Sequence, residues 1–338
     1  MKALKVPKNK AEAVKDKLIE LGCLDRTKRF IDMEGHVVIP VLDCEDIEVI
    51  AGLGIIVDAE LPPRIQPLTP YENITNVCQI PPSKLGLLPD KWELLGNVLV
   101  LQLPGELERW TEEVCSCYAR ELDAKTVVRI KDIKGSTRKQ NVEVLWGDGT
   151  ETIHLENGIK YSMDVAKVMF SSGNIDERVR MAGLDCKEER VVDMFSGIGY
   201  FTLPLAVYTG AKHVTAYDIN PDAHHYMKRN VELNHVEDKV TPILKNCLEA
   251  EEDVADRVIM GYLHDTHKYL EKAIKVLDKK GIIHYHENCP NELWPERPRN
   301  WITEAAKNLG KKADILQERI VKSYAPGVSH IVIDVRIY

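Results

Sequence analysis

The chain has 338 residues, beyond the roughly 250–300 at which single cores usually stop growing, so two or more domains are expected. No uncharged run approaches the ~18 residues a membrane helix needs, and Met1-Lys2-Ala3-Leu4-Lys5-Val6-Pro7 leads into a charged helix, not a cleavable signal. The net charge of −8 argues against general polyanion binding, so any nucleic-acid contact must come from local basic patches.

Residues 9–22 place Ala11, Val14, Leu18 and Leu21 near helical spacing, with Gly22 as a stop. With the strand-like Val37-Val38-Ile39-Pro40-Val41 they predict a small α+β domain over residues 1–60. Leu61-Pro62-Pro63-Arg64, with prolines at 67 and 70, reads as a linker over 61–90. A strand at 96–103, a helix at 108–121 and strands at 126–130, 142–146, 152–155 and 159–163 predict a middle α+β domain over 91–185, with a mixed or antiparallel sheet. Inside it, Arg129-Ile130-Lys131-Asp132-Ile133-Lys134-Gly135-Ser136-Thr137-Arg138-Lys139 is the best basic stretch, either a phosphate-binding excursion or a solvated loop. From 188 onward strands alternate with helices, at 190–195, 213–217, 240–244, 256–260, 281–286, 314–322 and 329–337. Such alternation implies a mainly parallel sheet covered by helices, over residues 186–338. The last two strands flank a hairpin-like Tyr324-Ala325-Pro326-Gly327 turn. The eight cysteines lie scattered without a CxxC pair, and they read as idle thiols of a reducing cytosol. A cytoplasmic location is therefore expected.

The sharpest signal is Val191-Val192-Asp193-Met194-Phe195-Ser196-Gly197-Ile198-Gly199-Tyr200-Phe201-Thr202, with Tyr217-Asp218-Ile219-Asn220-Pro221 behind it. An apolar strand breaks at Asp193 into a Gly-x-Gly turn, a helix follows, and an acidic residue ends a second strand. That layout suits an adenosine-bearing cofactor, with Asp218 accepting from the ribose hydroxyls. A pyrophosphate dinucleotide wants a third glycine, but Thr202 stands there. The pattern Asp-x-Phe-x-Gly-x-Gly resembles motif I of class I S-adenosylmethionine-dependent transferases, which have a Rossmann-like fold and a seven-stranded sheet.

Further segments extend the resemblance over nearly the whole chain. Lys5-Val6-Pro7, Leu24-Asp25-Arg26, Glu151-Thr152-Ile153-His154, Glu156-Asn157-Gly158, Asp164-Val165-Ala166-Lys167 and Tyr324-Ala325-Pro326-Gly327-Val328 are similar to the archaeal and eukaryotic tRNA enzymes that act on the purine 3′ to the anticodon. One branch methylates that guanosine at N1. The other transfers the 3-amino-3-carboxypropyl group of S-adenosylmethionine onto 4-demethylwyosine of tRNA-Phe. Where the methylating branch typically reads phenylalanine-serine-proline-arginine, this chain has Phe170-Ser171-Ser172-Gly173-Asn174. Where that branch carries an asparagine-leucine-proline-like sequence, this chain has Gly261-Tyr262-Leu263-His264. Both segments resemble the aminocarboxypropyl branch, although that branch often has a proline at position 264.

The resemblance implies that Ser171 and Arg178 lie near the methionine arm, that Asp218 holds the ribose, and that Asn246 and Cys247 flank the adenine. With Asp193 and Gly197 of motif I, these are the expected cofactor-binding residues. Arg178 could grip the α-carboxylate bidentately, or be a solvated charge of its local run. Asp218 is shorter than the glutamate common at its position, and Asn246 replaces a frequent aspartate. Cys247 is expected to offer its backbone N–H. His264 could accept the proton lost from the attacked carbon, or simply pack beside Tyr262. His284 and His286, with Glu287, are too few for a closed metal site, and no metal is expected. Trp146 and Tyr200 are candidate stacking surfaces for an extruded base, or core aromatics. The resemblance also implies tRNA as partner, no membrane and a monomer. The competing readings are guanosine-37 N1-methylation, small-molecule methylation and a non-catalytic tRNA-binding protein.

Overall fold

In the computed structural model, which describes every residue except 43–46, 66 and 135–138, the chain divides after Thr69 into two units. The first contains β1 (Lys2–Pro7), α1 (Ala11–Glu20), β2 (Ile31–Met33), β3 (His36–Pro40), α2 (Ile47–Ala51) and β4 (Ile55–Asp58). The strands form an antiparallel sheet in the order β2-β3-β1-β4. Alternate residues of β1 point to one face, so Leu4 and Val6 meet Val14 and Leu18 of α1 and Ile39 of β3. Each such side chain contributes roughly 1.5–3 kcal/mol on burial.

The second unit begins with α3 (Pro70–Val77) and α4 (Pro82–Leu85), where a linker was expected. Ile74, Cys78, Ile80 and Leu88 join the core formed by β5 (Trp92–Leu95), β6 (Val98–Leu101), α5 (Thr111–Glu121), β7 (Thr126–Lys134) and β8 (Lys139–Gly147). The prolines here are not linker signals, because Pro70 and Pro82 open helices, where a missing N–H is harmless. The sheet β5-β6-β7-β8 is mixed, with β6 and β7 parallel. It does not extend to β9 (Glu151–Glu156) and β10 (Ile159–Asp164), contrary to expectation, because those two pair only with each other. The other edge of β10 is met by side-chain amides of a later helix. Asn230 bonds both backbone groups of Ser162, and Asn234 both of Lys160.

After α6 (Ile175–Ala182) the chain alternates through β11 (Arg190–Asp193), α7 (Thr202–Tyr208), β12 (His213–Asp218), α8 (Pro221–Leu233), β13 (Val240–Leu244), β14 (Ala255–Met260), α9 (Leu270–Val276), β15 (Leu277–Pro290), α10 (Glu296–Asn308), β16 (Ala313–Ala325) and β17 (Val328–Ile337). The seven strands lie in the order β13-β12-β11-β14-β15-β17-β16. The first five are parallel, and β17 runs antiparallel between β15 and β16. This is the doubly wound arrangement expected, and its order reverses between β11 and β14. Ligands of such sheets bind beyond the carboxyl ends of the strands at that switch point. The β16–β17 turn is Pro326-Gly327, where Gly327 takes φ +72°. Among the described residues no helix is long and apolar enough to cross a membrane, and seven cysteines are buried and free.

Candidate active site

At the carboxyl ends of β11, β12 and β14 lies a cavity of about 340 Å³, within the range usual for small-molecule sites. Its floor is the loop after β11. Asp193 is fully buried beneath that loop, accepting from the Phe195 N–H at 3.2 Å and the Thr202 hydroxyl at 2.8 Å. It therefore ties both ends of the Gly-x-Gly turn together and is not among the residues that line the cavity. Burial pushes its carboxyl up to about 7. Gly197 takes φ +56°, and a Cβ there would stand 2.5 Å from the Tyr200 ring. Its N–H donates at 2.8 Å to Asp218, whose other oxygen accepts from Asn220 N–H at 2.8 Å. The carboxylate of Asp218 keeps acceptor capacity beyond these backbone bonds, and the residue lines the cavity. Burial raises its pKa.

Asn246 and Cys247 follow β13 and line the same side. The Asn246 side-chain oxygen caps the Leu248 N–H at 3.0 Å, which leaves its NH₂ for an adenine edge. Burial pushes the Cys247 thiol up to about 12, so it stays protonated and is no nucleophile.

Ser171, Asn174 and Arg178 line the cavity from α6 and the turn before it. Arg178 is 2% exposed and is not the solvated charge of its local run. It is not turned to the cavity with its fork free either. Nε and Nη2 donate to the two Glu156 oxygens at 2.5 and 2.8 Å, and Nη1 donates to the Ser171 carbonyl at 2.8 Å. The guanidinium also stacks on Phe170, 4.8 Å from the ring centroid. The Nε–Nη2 edge that could grip an α-carboxylate is engaged by Glu156 here, and Arg178 braces the turn that carries Ser171.

Several further residues line the cavity, of which Tyr269, Lys322 and His330 were not singled out in the sequence. Phe195 stacks on Tyr262 at 5.1 Å, forming an aromatic wall with Tyr269 and Tyr324. His286 and His330 line the cavity and share a 3.1 Å hydrogen bond, and Lys322 lies beside them. Burial, with the Lys322 charge, pushes the His330 imidazole down to about 4. His286 is likewise lowered by burial. Lys322 and His330 lie beyond motif I in sequence and reach the site through the C-terminal pair β16 and β17, the latter returning between β15 and β16. The Tyr324-Ala325-Pro326-Gly327 signature was the one available pointer to them.

Other candidates fall elsewhere. His264 is exposed, edge-on to Tyr262 and 3.3 Å from the Tyr324 hydroxyl. His284 is buried against Asp334 and Arg257, outside the cavity. Trp146 packs on the β5–β8 core. Tyr200 lines the cavity and donates its hydroxyl to the Met169 carbonyl. In the basic stretch, Arg129 pairs with Glu108 and Glu143, and Lys131 with Glu143, so neither is an uncompensated charge. Gly135, Ser136, Thr137 and Arg138 lie outside the described residues. Among the described residues one other group resembles a ligand set, Cys78 with Glu113 and Cys117, away from this cavity. Burial raises both of those thiols.

Comparison with known proteins agrees with this geometry. The family described as "TRM5/TYW2 methyltransferase domain" matches residues 152–316. Residues 77–150 match the TYW2 N-terminal domain, and residues 3–48 the tRNA methyltransferase 5 N-terminal domain. The tRNA(Phe) (4-demethylwyosine(37)-C(7)) aminocarboxypropyltransferase of Pyrococcus horikoshii is 42% identical over 261 residues, 77% of this chain and 94% of that protein. The tRNA (guanine(37)-N(1))-methyltransferase Trm5b of Pyrococcus abyssi is 36% identical over 344 residues, 99% of this chain and 98% of that protein. The structure of P. horikoshii TYW2 in complex with MeSAdo superposes with a TM-score of 0.72 at 39% identity, covering 79% of this chain and 99% of that one.

Proposed function

The chain belongs to the TRM5/TYW2 family, and we propose that it transfers the 3-amino-3-carboxypropyl group of S-adenosylmethionine to C7 of 4-demethylwyosine at position 37 of tRNA-Phe. The observation that carries this reading is the 42% identity to the P. horikoshii enzyme over 94% of its length, joined to a cavity with the right polarity. On the β12–β13 side stand Asp218, for the ribose, and Asn246 with the Cys247 backbone, for the adenine. Across the sheet stand Ser171 and Asn174, with Arg178 holding their turn. Gly197 and Asp193 shape the floor: the glycine gives the loop its backbone, and the carboxyl pins both loop ends. Phe195, Tyr262 and Tyr324 offer an aromatic wall on which a flat base can stack.

When bound, S-adenosylmethionine supplies an activated Cγ: the C7–Cγ bond forms as Cγ–S breaks, the electron pair returns to sulfur in methylthioadenosine, and the C7 proton is lost. The chain's own contribution is position. Holding the acceptor base in line with Cγ, and the methyl carbon out of line, can supply up to roughly 7–11 kcal/mol of the barrier reduction.

A second reading, N1-methylation of guanosine 37, has one observation in its favour: the P. abyssi methyltransferase spans 99% of this chain. The readings separate in one assay. The protein is incubated with tRNA-Phe bearing 4-demethylwyosine and with doubly labelled S-adenosylmethionine. Carboxyl-carbon label on tRNA is the expected result. Methyl-carbon label would replace the proposal with the second reading, and label from neither would overturn both.

A further inference from the structure

Arg178 shares its fork with Glu156, so a further cation facing the cavity bears on how the donor's α-carboxylate is held. Among its lining residues the remaining permanent cations are Lys245 and Lys322. Lys245 follows β13 beside Asp218, on the ribose side, where a carboxylate is not expected. Lys322 is on the opposite side of the sheet, with Ser171, Asn174 and the neutral pair His286–His330.

Three features aim Lys322 at the cavity. First, β16 carries an irregularity between Ile320 and Lys322, so Ile320 pairs with Ile331 but Lys322 pairs with His330. Without the extra residue, Lys322 would fall on the other face, because a one-residue slip inverts a strand's side chains. As built, it shares the face of His330, which lines the cavity. Second, the turn before α6 makes room for it. A Cβ on Gly173 would stand 2.9 Å from Lys322 Nζ, so any side chain at 173 displaces the amine. Third, the amine has no carboxylate partner among the described residues, and the charge that acts on it is the like charge of Arg178. Burial and that like charge lower its pKa. A half-buried cation without a counter-ion is unfavourable, and an arriving carboxylate would relieve it.

We infer that Lys322 is the anchor for the α-carboxylate of the methionine arm, and that Gly173 is the space that lets it serve. This rests on the proposed donor site. Fixing the carboxylate beside Ser171 determines where the arm lies, and hence which carbon faces the acceptor.

The test exploits methylthioadenosine, which lacks the arm, and S-adenosylhomocysteine, which keeps it. Calorimetric titrations of wild type, Lys322→Met and Gly173→Ala are run with S-adenosylmethionine, S-adenosylhomocysteine and methylthioadenosine, with thermal unfolding to verify the folded state. Lys322→Met is expected to weaken both arm-bearing ligands about 10–100-fold while leaving methylthioadenosine within about twofold, since ionic hydrogen bonds carry roughly 1.5–3 kcal/mol. Gly173→Ala, which keeps the lysine but crowds its amine, is expected to show a smaller arm-selective loss. Equal weakening of all three ligands by Lys322→Met, or weakening of none, would overturn the inference. A wild-type protein that binds none of the three would overturn the underlying donor site instead.

Discussion

The Arg178–Glu156 pair gives the most demanding test of the site's construction. The two side chains are 2% and 9% exposed and are joined by two charge-assisted hydrogen bonds of 2.5 and 2.8 Å. Removing one partner strands the other's charge in a poorly solvated place, which costs about 3–5 kcal/mol. The lost stacking on Phe170 adds about 0.5–2 kcal/mol. Arg178→Met should therefore lower the unfolding free energy by at least about 3 kcal/mol, a large part of the 5–15 kcal/mol that typical domains possess. Adding Glu156→Gln removes the stranded carboxylate and should restore about 2–3 kcal/mol of that loss, a coupling measurable by urea unfolding of both single variants and the double variant. Binding supplies a second axis. If Arg178 acts by bracing the Ser171 turn, Arg178→Met should weaken S-adenosylmethionine and methylthioadenosine together, by tens of fold. A loss below about 1 kcal/mol, or single effects that simply add, would refute the bracing argument. Selective loss of the arm-bearing ligand would return Arg178 to direct contact with the carboxylate.

Three further outcomes follow from the same geometry. Asp193 has its pKa raised by burial from 3.8 to about 7, so the folded state holds a proton that the unfolded chain releases. Its contribution to stability is complete below about pH 4 and declines as pH rises to about 7, by about 4 kcal/mol at 1.36 kcal/mol per pH unit. Asp193→Asn can keep both hydrogen bonds and should gain relative to wild type across that window; a pH-independent difference in denaturant titrations would contradict this. Asp218→Ala should weaken S-adenosylmethionine and methylthioadenosine equally, about 10–100-fold by calorimetry, because both carry the ribose; an arm-selective effect would misplace it. For tRNA, Lys134→Glu with Lys139→Glu should lower affinity and flatten its salt dependence, by about 0.9 in the log–log slope for each duplex phosphate no longer neutralised. Arg129→Gln, whose charge is already met by Glu108 and Glu143, should leave that slope unchanged. A salt-insensitive complex would remove the basic stretch from the interface.

How much of this was legible in the chain depends on whether the signal was local. The alternating strands from β11 to β15 and the glycine turn are short-range patterns, so periodicity and turn chemistry were enough to find them. Asp218, Asn246 and Cys247 fell where strand ends demanded. The misreadings came from interactions that no window contains. Ile74, Ile80 and Leu88 looked like linker because their partners lie on α5 and β6. The β9–β10 hairpin looked like part of a larger sheet because Asn230 and Asn234, some 70 residues on, take the place of a neighbouring strand. That Arg178 is paired with Glu156, 22 residues earlier, could not be read from its local charge run. Lys322 and His330 were invisible as site residues because the irregularity in β16 decides which face they share.

The position of β16 has an evolutionary reading. It is the outermost strand of the seven, hydrogen-bonded on one side only and broken in register at three places, whereas eight of the ten residues of β17 beside it are buried. Substitutions on such a margin disturb few neighbours, and the turn carrying Gly173 is a single short helix with no buried residues. A lineage could therefore exchange the residues that orient the donor without threatening the sheet that holds its adenosine. Divergence of reaction within one scaffold would then need little compensation from the core, because the determinants of outcome and the determinants of folding occupy different strands.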